Sequence, residues 1–537
     1  MTTGEGAGMT GGVPSPDECV FRNMLERRSA ENPQRTFIVL ENGETVSFAQ
    51  FRGMAERMAA SLHGLRVKKG DRVLVWLPGG IDSLTVWFGI NWLGAIYVPI
   101  NTAYRGAVLA HVIENVQAEL LIVDASLLPR LRGIDMGAIG RIVTFGDVAD
   151  PPSGVELVKG ESLGREAGSV PDVEICPWDP QSIMFTSGTS GTSKGVISSY
   201  AHLYAMSGPE AFPMLESSDR YMVHLPLFHV GGTIPVMAML ARGGSIAVVP
   251  TFSTDMFWTR VRDMKATVGV LLGVMATFIL KQPPSSADKS HTFRKAIIIP
   301  LGENAAEFKE RFGSEIYTLY NMTEISTPLV SGPNAQKLGF CGTMRAGVEL
   351  RIVDEYDIEV PLGTTGELIV RTRSPWQLTS GYYRAPEATA QSMRNGWFHT
   401  GDAFRAESDG FYFVDRIKDV IRRRGENISS FEVETEVAAF PDVKEAAIVA
   451  VPSAFSEDEV MCVVAPVSGR SVEPPQLLSF LQGRLPHYML PRYIRVVDAL
   501  PKTETGKIQK QIVKSAGVTS DTWDREKAGI SIKRSMN

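Results

Sequence analysis

The chain has 537 residues, more than one ordinary hydrophobic core organises, so two or more domains are expected. A hydrophobic fraction of 44% is normal for a globular protein, and a net charge of −6 excludes a general nucleic-acid binder, which needs a basic stripe. The cysteines (Cys19, Cys176, Cys341, Cys462) have no CxxC spacing for a metal, and free thiols in a reducing cytosol are expected.

Residues 1–17 lack the basic and apolar regions of a signal peptide and read as a disordered lead-in. Short apolar strands then alternate with helical patterns, as in α/β folds. Arg72–Leu77 is an expected buried strand, Asp82–Leu93 a helix and Ala95–Ile100 a strand. Leu120–Asp124, Arg141–Phe145, Ile246–Val249 and Ala296–Ile299 continue the alternation. The most apolar stretch, Val268–Leu280, is too short to span a bilayer. Between Gly347 and Arg371 the pattern changes to hairpins, implying a small β subdomain. Beyond the charged passage RIKDVIRRRGEN lie a helix (Ser430–Ala439), strands Glu445–Val451 and Val460–Ala465, and a helix (Pro475–Leu485). These make a small α+β domain. The expected domains are therefore 18–417 and 418–537.

Six segments could carry chemistry. Ile183-Met184-Phe185 runs into TSGTSGTSKG, Thr186 to Gly195, whose glycines, hydroxyls and Lys194 suit a phosphate loop. It is not a GxxxxGK[ST] loop, because Ser193 and Gly195 flank Lys194. On composition alone such a run is also a flexible linker. His224-Leu225-Pro226-Leu227-Phe228-His229-Val230-Gly231-Gly232 carries two histidines among apolar residues, where a packed structural ring is the ordinary outcome. In Tyr320-Asn321-Met322-Thr323-Glu324, the Glu could hold a divalent cation and the Thr a phosphate, or the Glu is simply exposed. Asp402, in GWFHTGD, could accept two ribose hydroxyls or cap a turn. Asp415-Arg416-Ile417-Lys418-Asp419 with Gly425 is a charge run that suits a solvated face equally well. PKTETGKI places Lys507 in a Gly/Thr loop, ordinarily solvent-exposed.

Together, in this order, the segments resemble the adenylate-forming superfamily of acyl-CoA synthetases, luciferases and amino-acid adenylation domains, from Glu18 to Lys514. The resemblance implies a large N-terminal domain of two stacked αβα halves plus the small β subdomain, capped by a mobile α+β C-terminal domain. It implies ATP, Mg2+ and coenzyme A as co-substrates and cofactors. A carboxylate would attack ATP to give acyl-AMP and pyrophosphate, and coenzyme A would then take the acyl group. Passing the acyl group to a carrier protein or other acceptor, as an acyl-AMP ligase does, is the alternative.

By the same resemblance, Thr186, Ser187, Gly188, Thr189, Ser190, Gly191 and Lys194 hold the β- and γ-phosphates. Thr323 meets phosphate and Glu324 magnesium, with Tyr320 on adenine beside Asn321 and Gly302. Asp402, helped by Arg416, anchors the ribose; Lys418 is the hinge; and Gly425 lies against the pantetheine arm. Lys507 bridges the acyl carboxylate and the α-phosphate, and it is grouped with Glu324, Thr323 and His229 as catalytic. Arg422 to Arg424 could supply cations for the coenzyme A phosphates. Ser190, Ser193, Asn321 and the segment Leu301 to Ala305 depart from the family pattern.

PLFHVGG lacks the acid that binds an α-amino group in amino-acid adenylation domains, so an α-amino acid is disfavoured. Leu319 stands where many members have glycine on the acyl side, which favours a short, medium or compact acid. Several segments resemble the carnitine/crotonobetaine-CoA ligase branch, whose quaternary ammonium would want an aromatic cage. Trp92, Phe228, Phe257 and Trp258 are present, but most such aromatics are core residues and nothing in the sequence shows that these converge. The expected partners are a small carboxylic acid, ATP and coenzyme A, with no nucleic acid and no membrane span. A cytoplasmic location is expected, and a homodimer is compatible with the sequence.

Overall fold

The computed structural model describes the chain except for residues 1–11, 149–151, 166–167, 187–192, 418, 424–425, 454–457, 483, 504–505 and 531–537. It divides into two compact units. The first comprises residues 1–336, 341–350 and 370–398; the second comprises 337–340, 351–369 and 399–537. The Ile417–Asp419 boundary expected from composition falls inside the second unit.

The first unit is built on two seven-stranded sheets. One runs Glu156–Lys159, Arg141–Phe145, Leu120–Asp124, Arg72–Trp76, Ile96–Pro99, Pro180–Thr186, Lys194–Ser199. All neighbours are parallel except the last pair. The other runs Glu315–Tyr317, Lys295–Ile299, Val268–Leu272, Arg220–Val223, Ser245–Val248, Thr36–Leu40, Thr45–Ser47. It too is parallel except at its final strand.

Alternation along the strands explains the layering. Val73 and Val75 join the main core, which also takes Val223, Ile246, Val248, Val268 and Ile297 of the other sheet, while Leu74 and Trp76 pack on the opposite face with Leu109, Val112 and Val116. The main core therefore lies between the two sheets and is filled by the helices Phe21–Glu31, Phe48–Gly64, Ile81–Trp92 and Val230–Arg242. Ile81–Trp92 is buried nearly all round, as a helix apolar on every face must be. Both faces of these parallel strands are covered, which is why they read as unbroken apolar runs.

The second unit carries a four-stranded sheet in the order Val443–Pro452, Asp458–Pro466, Tyr493–Val496, Trp523–Asp524. Ala446, Ile448 and Ala450 face the helices Ser430–Ala438 and Pro474–Gln482, whereas Ala447, Val449 and Val451 face Val513 of the helix Lys510–Ala516. The unit also contains the antiparallel pairing of residues 402–407 with 410–416 and the short hairpin Ile421–Arg423 with Glu426–Ile428. Cys19, Cys176, Cys341 and Cys462 are free thiols. Among the described residues no helix is long and apolar enough to cross a membrane.

Candidate active site

In the first unit, Pro180–Thr186 turns back into Lys194–Ser199, with Thr186 opposite Lys194 in register. The phosphate segment is thus the turn of an antiparallel hairpin. Ser187, Gly188, Thr189, Ser190 and Gly191 lie outside the described residues. Gly195 is required for packing: a Cβ there would sit 2.7 Å from Ile183 Cγ2.

The free edge of Lys194–Ser199 takes residues 379–383. Tyr382 bridges Val196, Ile197 N donates to Gly381 O, and Tyr383 N donates to Gly195 O at 2.7 Å. Thr379 N also donates to Glu324 O at 2.8 Å, which fastens the Tyr320-to-Glu324 segment to the same edge. Glu324 is 8% exposed, and its Oε1 accepts from the Tyr382 hydroxyl at 3.0 Å. Lys194 Nζ lies 5.1 Å from the centre of the Tyr382 ring, within cation–π range. Burial, with Glu324 beside it, pushes the Tyr382 hydroxyl well above the usual phenol range and keeps it a donor. Thr323 is buried next to Glu324.

Tyr320 is buried on the strand Leu319–Tyr320, paired with Leu329–Val330. Asn321 uses its side-chain amide locally, donating to Thr327 Oγ1 at 3.1 Å, while Thr327 donates to Met206 O at 2.8 Å. Gly302 follows the strand Lys295–Ile299, and a Cβ there would lie 3.1 Å from Asn304 Oδ1. His229 caps the helix Val230–Arg242, its Nδ1 accepting from Gly231 N at 3.0 Å. That bond places the proton of the neutral ring on Nε2. Gly232 permits the tight entry to this helix, since a Cβ would come 2.3 Å from Pro226 O. His224 is buried, and its two ring nitrogens make no hydrogen bond to the described residues.

In the second unit, Asp402 and Arg416 are cross-strand partners. Glu367 holds the segment before Asp402: its Oε1 accepts from Gly401 N at 2.9 Å, and its Oε2 is 3.0 Å from His399 Nδ1. Thr400 Oγ1 donates to Leu368 O at 2.7 Å and accepts from Asp402 N at 3.1 Å. Lys507 is exposed on a turn closed by Thr503, whose N donates to Lys507 O at 2.7 Å and whose Oγ1 accepts from Lys507 N at 3.1 Å. Lys418 and Gly425 lie outside the described residues.

Two expectations are corrected. Arg423 is not a cation for coenzyme A: it is 2% exposed, 2.8 Å from Glu459, and donates to the carbonyls of Tyr488 and Leu490. Of the four aromatics available for a cage, Trp92, Phe257 and Trp258 are taken up in core and ring packing. Trp92 belongs to the main core, while Phe257 packs edge-on against Trp258 at 4.9 Å and Trp258 stacks on His291 at 4.3 Å. Tyr382 and Glu367 escaped the sequence reading, and their neighbours, in SGYYRAP and GELIV, were the available signal.

Glu324 fits magnesium as a single carboxylate. Mg2+ keeps water and phosphate oxygens and takes only one or two protein carboxylates. Among the described residues no group of three or more His, Cys, Asp or Glu side chains offers a cage for a metal.

A family model described as AMP-binding enzyme matches residues 25–383, and a second, AMP-binding enzyme C-terminal domain, matches 432–507. The chain belongs to the AMP-binding enzyme family. It is an AMP-forming ligase of that family, whose members use ATP, magnesium and coenzyme A. It is 29% identical over 510 residues to a crotonobetaine/carnitine–CoA ligase of Salmonella paratyphi A, covering 92% of this chain and 98% of the relative. The fold matches ATP-bound MatB from Rhodopseudomonas palustris with a TM-score of 0.78 and 26% identity, covering 92% of this chain and 98% of that one. It also matches the anthranilate CoA ligase AuaEII in complex with anthranoyl-AMP, with a TM-score of 0.81, 23% identity, and 92% and 96% coverage. This AMP-binding enzyme therefore has the mixed α/β architecture of its relatives, a large N-terminal domain and a small C-terminal one.

Proposed function

We propose that the chain is an acyl-CoA synthetase for a short, medium-length or otherwise compact carboxylic acid. A carboxylate is a poor acyl donor because its leaving group would be oxide or hydroxide. In the first half-reaction a carboxylate oxygen bonds to the α-phosphorus of ATP, the α–β anhydride bond breaks and pyrophosphate leaves. In the second, the coenzyme A thiol gives up its proton, its sulfur bonds to the acyl carbon, and AMP leaves. The acid and ATP are both anionic, so the site has to neutralise charge.

The observation that carries this reading is the meeting of Glu324 and Lys194 on one tyrosine at the end of the phosphate hairpin. Lys194, with Thr186 and residues 187–191, binds the β- and γ-phosphates, and Thr323 adds a hydroxyl. Glu324 would hold magnesium, which when bound neutralises phosphate charge. Tyr320 and Gly302 face adenine, and Asn321 keeps their loop in shape. Asp402 accepts the ribose hydroxyls, supported by Arg416. Lys507 neutralises the carboxylate and the α-phosphate as they approach. His229 Nε2 serves the acyl side. Residues 418–537 form the mobile domain, with Lys418 as hinge and Gly425 beside the pantetheine arm. Leu319, buried in the core, supports a compact acid over a long-chain one. The enzyme works in the cytoplasm.

The test is acid-dependent release of AMP and pyrophosphate across a panel of carboxylic acids, with and without coenzyme A. Turnover requiring both a compact acid and coenzyme A is expected. Pyrophosphate release indifferent to coenzyme A would make the chain an acyl-AMP ligase with another acceptor. Palmitate giving a higher kcat/KM than hexanoate or a cyclic acid would overturn the substrate class.

A further inference from the structure

We propose that Tyr382 positions both Glu324 and Lys194 at the polyphosphate end of the site, its hydroxyl on the carboxylate and its ring face under the ammonium. The inference rests on the reading of Glu324 as the magnesium ligand.

The seat of Tyr382 is made by main chain. Tyr382 bridges Val196, Tyr383 N donates to Gly195 O, and Ser380 N donates to Ile197 O. Tyr382 N is taken by Thr389 Oγ1 at 2.9 Å, and Gly381 before it holds a φ of 116°, a conformation suited to glycine. The segment is therefore fixed without the phenol oxygen, which is instead directed to Glu324 Oε1 at 3.0 Å. A carboxylate with one oxygen held by a half-buried O–H has its plane set before a cation arrives. Partners of this kind behind metal ligands are worth 10–100-fold in affinity or activity. The same ring lies 5.1 Å from Lys194 Nζ. One side chain thus aligns the carboxylate for the metal with the ammonium for the phosphates, and a small error in either would be felt at the α-phosphorus.

The test uses the full chain with α,β-methylene-ATP, which cannot release pyrophosphate, and reads free Mn2+ by electron paramagnetic resonance. Tyr382→Phe should weaken Mn2+ binding to the enzyme–analogue complex by roughly 10- to 100-fold. It should raise the Mg2+ needed for half-maximal pyrophosphate release in parallel, with kcat largely recovered at saturating Mg2+. The melting temperature of the nucleotide-free protein should stay at the wild-type value. Tyr382→Leu, which also removes the ring, should in addition raise the KM for ATP.

Mn2+ affinity within about twofold of wild type in both variants, while Glu324→Gln loses it, would overturn the role of Tyr382 alone. A fall in the melting temperature of the nucleotide-free Tyr382→Phe protein would make the phenol a scaffold group and equally overturn it. Mn2+ binding that survives Glu324→Gln would instead remove the magnesium assignment underneath, and the inference with it.

Discussion

Arg423 and Lys507 are cations of the same unit in opposite surroundings. Arg423 sits at the end of the strand Ile421–Arg423 with its guanidinium enclosed by Glu459 and two backbone carbonyls. Lys507 is exposed beside a turn, with its backbone bonded to Thr503 at both N and O. The first arrangement holds its unit together and offers no charge to a ligand. The second leaves the lysine exposed at the surface, which suits a group that must act on a substrate. Clusters of basic residues therefore say little about ligand binding until the partners of each side chain are known.

The comparison is broken most severely by Arg423→Ala. It strands Glu459, itself buried, without its cation, and should cost about 3–5 kcal/mol in chemical denaturation. Replacing both partners by apolar residues of similar volume should recover most of the loss. Lys507→Ala should move the denaturation midpoint little, as changes at exposed side chains do, and lower the adenylation rate by about 10²–10³-fold, the effect of removing one group aimed at developing charge. Thioester formation from supplied acyl-AMP should be nearly unchanged. Equal loss in both half-reactions would count against the role given to Lys507.

Much of the architecture was legible because its signals are local. Parallel strands buried on both faces read as apolar runs, and Leu120–Asp124 and Arg141–Phe145 appear with the boundaries expected. The return strand Lys194–Ser199 was hidden, since it opens with Lys and Gly and ends in two serines. Its place depends on pairing with Pro180–Thr186, which no periodicity announces. Glu324 was singled out by its motif as a candidate, whereas Tyr382 was not, because its contact with Glu324 comes from a sheet edge meeting a loop far away in sequence. Arg423 was misread for the reverse reason. A run of charge implies a solvated face until a buried acid from another strand claims one member.

Acid should separate the core from the exposed turn. Burial, with the charge of Arg260 adding to it, holds the His224 ring down to about 4, against an ordinary 6.5. The unfolded chain then binds a proton that the native ring refuses. Stability is complete above the unfolded pKa and is lost as pH falls from about 6.5 towards 4. Between pH 7.5 and 5 this one group should cost about 2 kcal/mol. His202, held down to about 3, acts in the same direction. In His224→Gln the difference in stability between the two pH values should shrink by about that amount, whatever the variant's absolute stability. An unchanged difference would show that His224 titrates normally in the native protein.

The smallest effects belong to the ribose end, where the arrangement is neither a buried pair nor an exposed lysine beside a turn. Asp402 lies opposite Arg416 in register, and the backbone before it is pinned by Glu367. Asp402→Asn keeps an acceptor oxygen and loses the charge, so it should raise the KM for ATP by about tenfold, the value of one charge-assisted hydrogen bond, with kcat little altered. Glu367→Gln should act only through the placement of Gly401 and Asp402, raising the same KM by about threefold. The two effects should also fail to add in full, because Glu367 has less left to position once Asp402 has lost its charge. A double variant showing the full product of the two single effects would mean that Glu367 supports the unit independently of nucleotide binding.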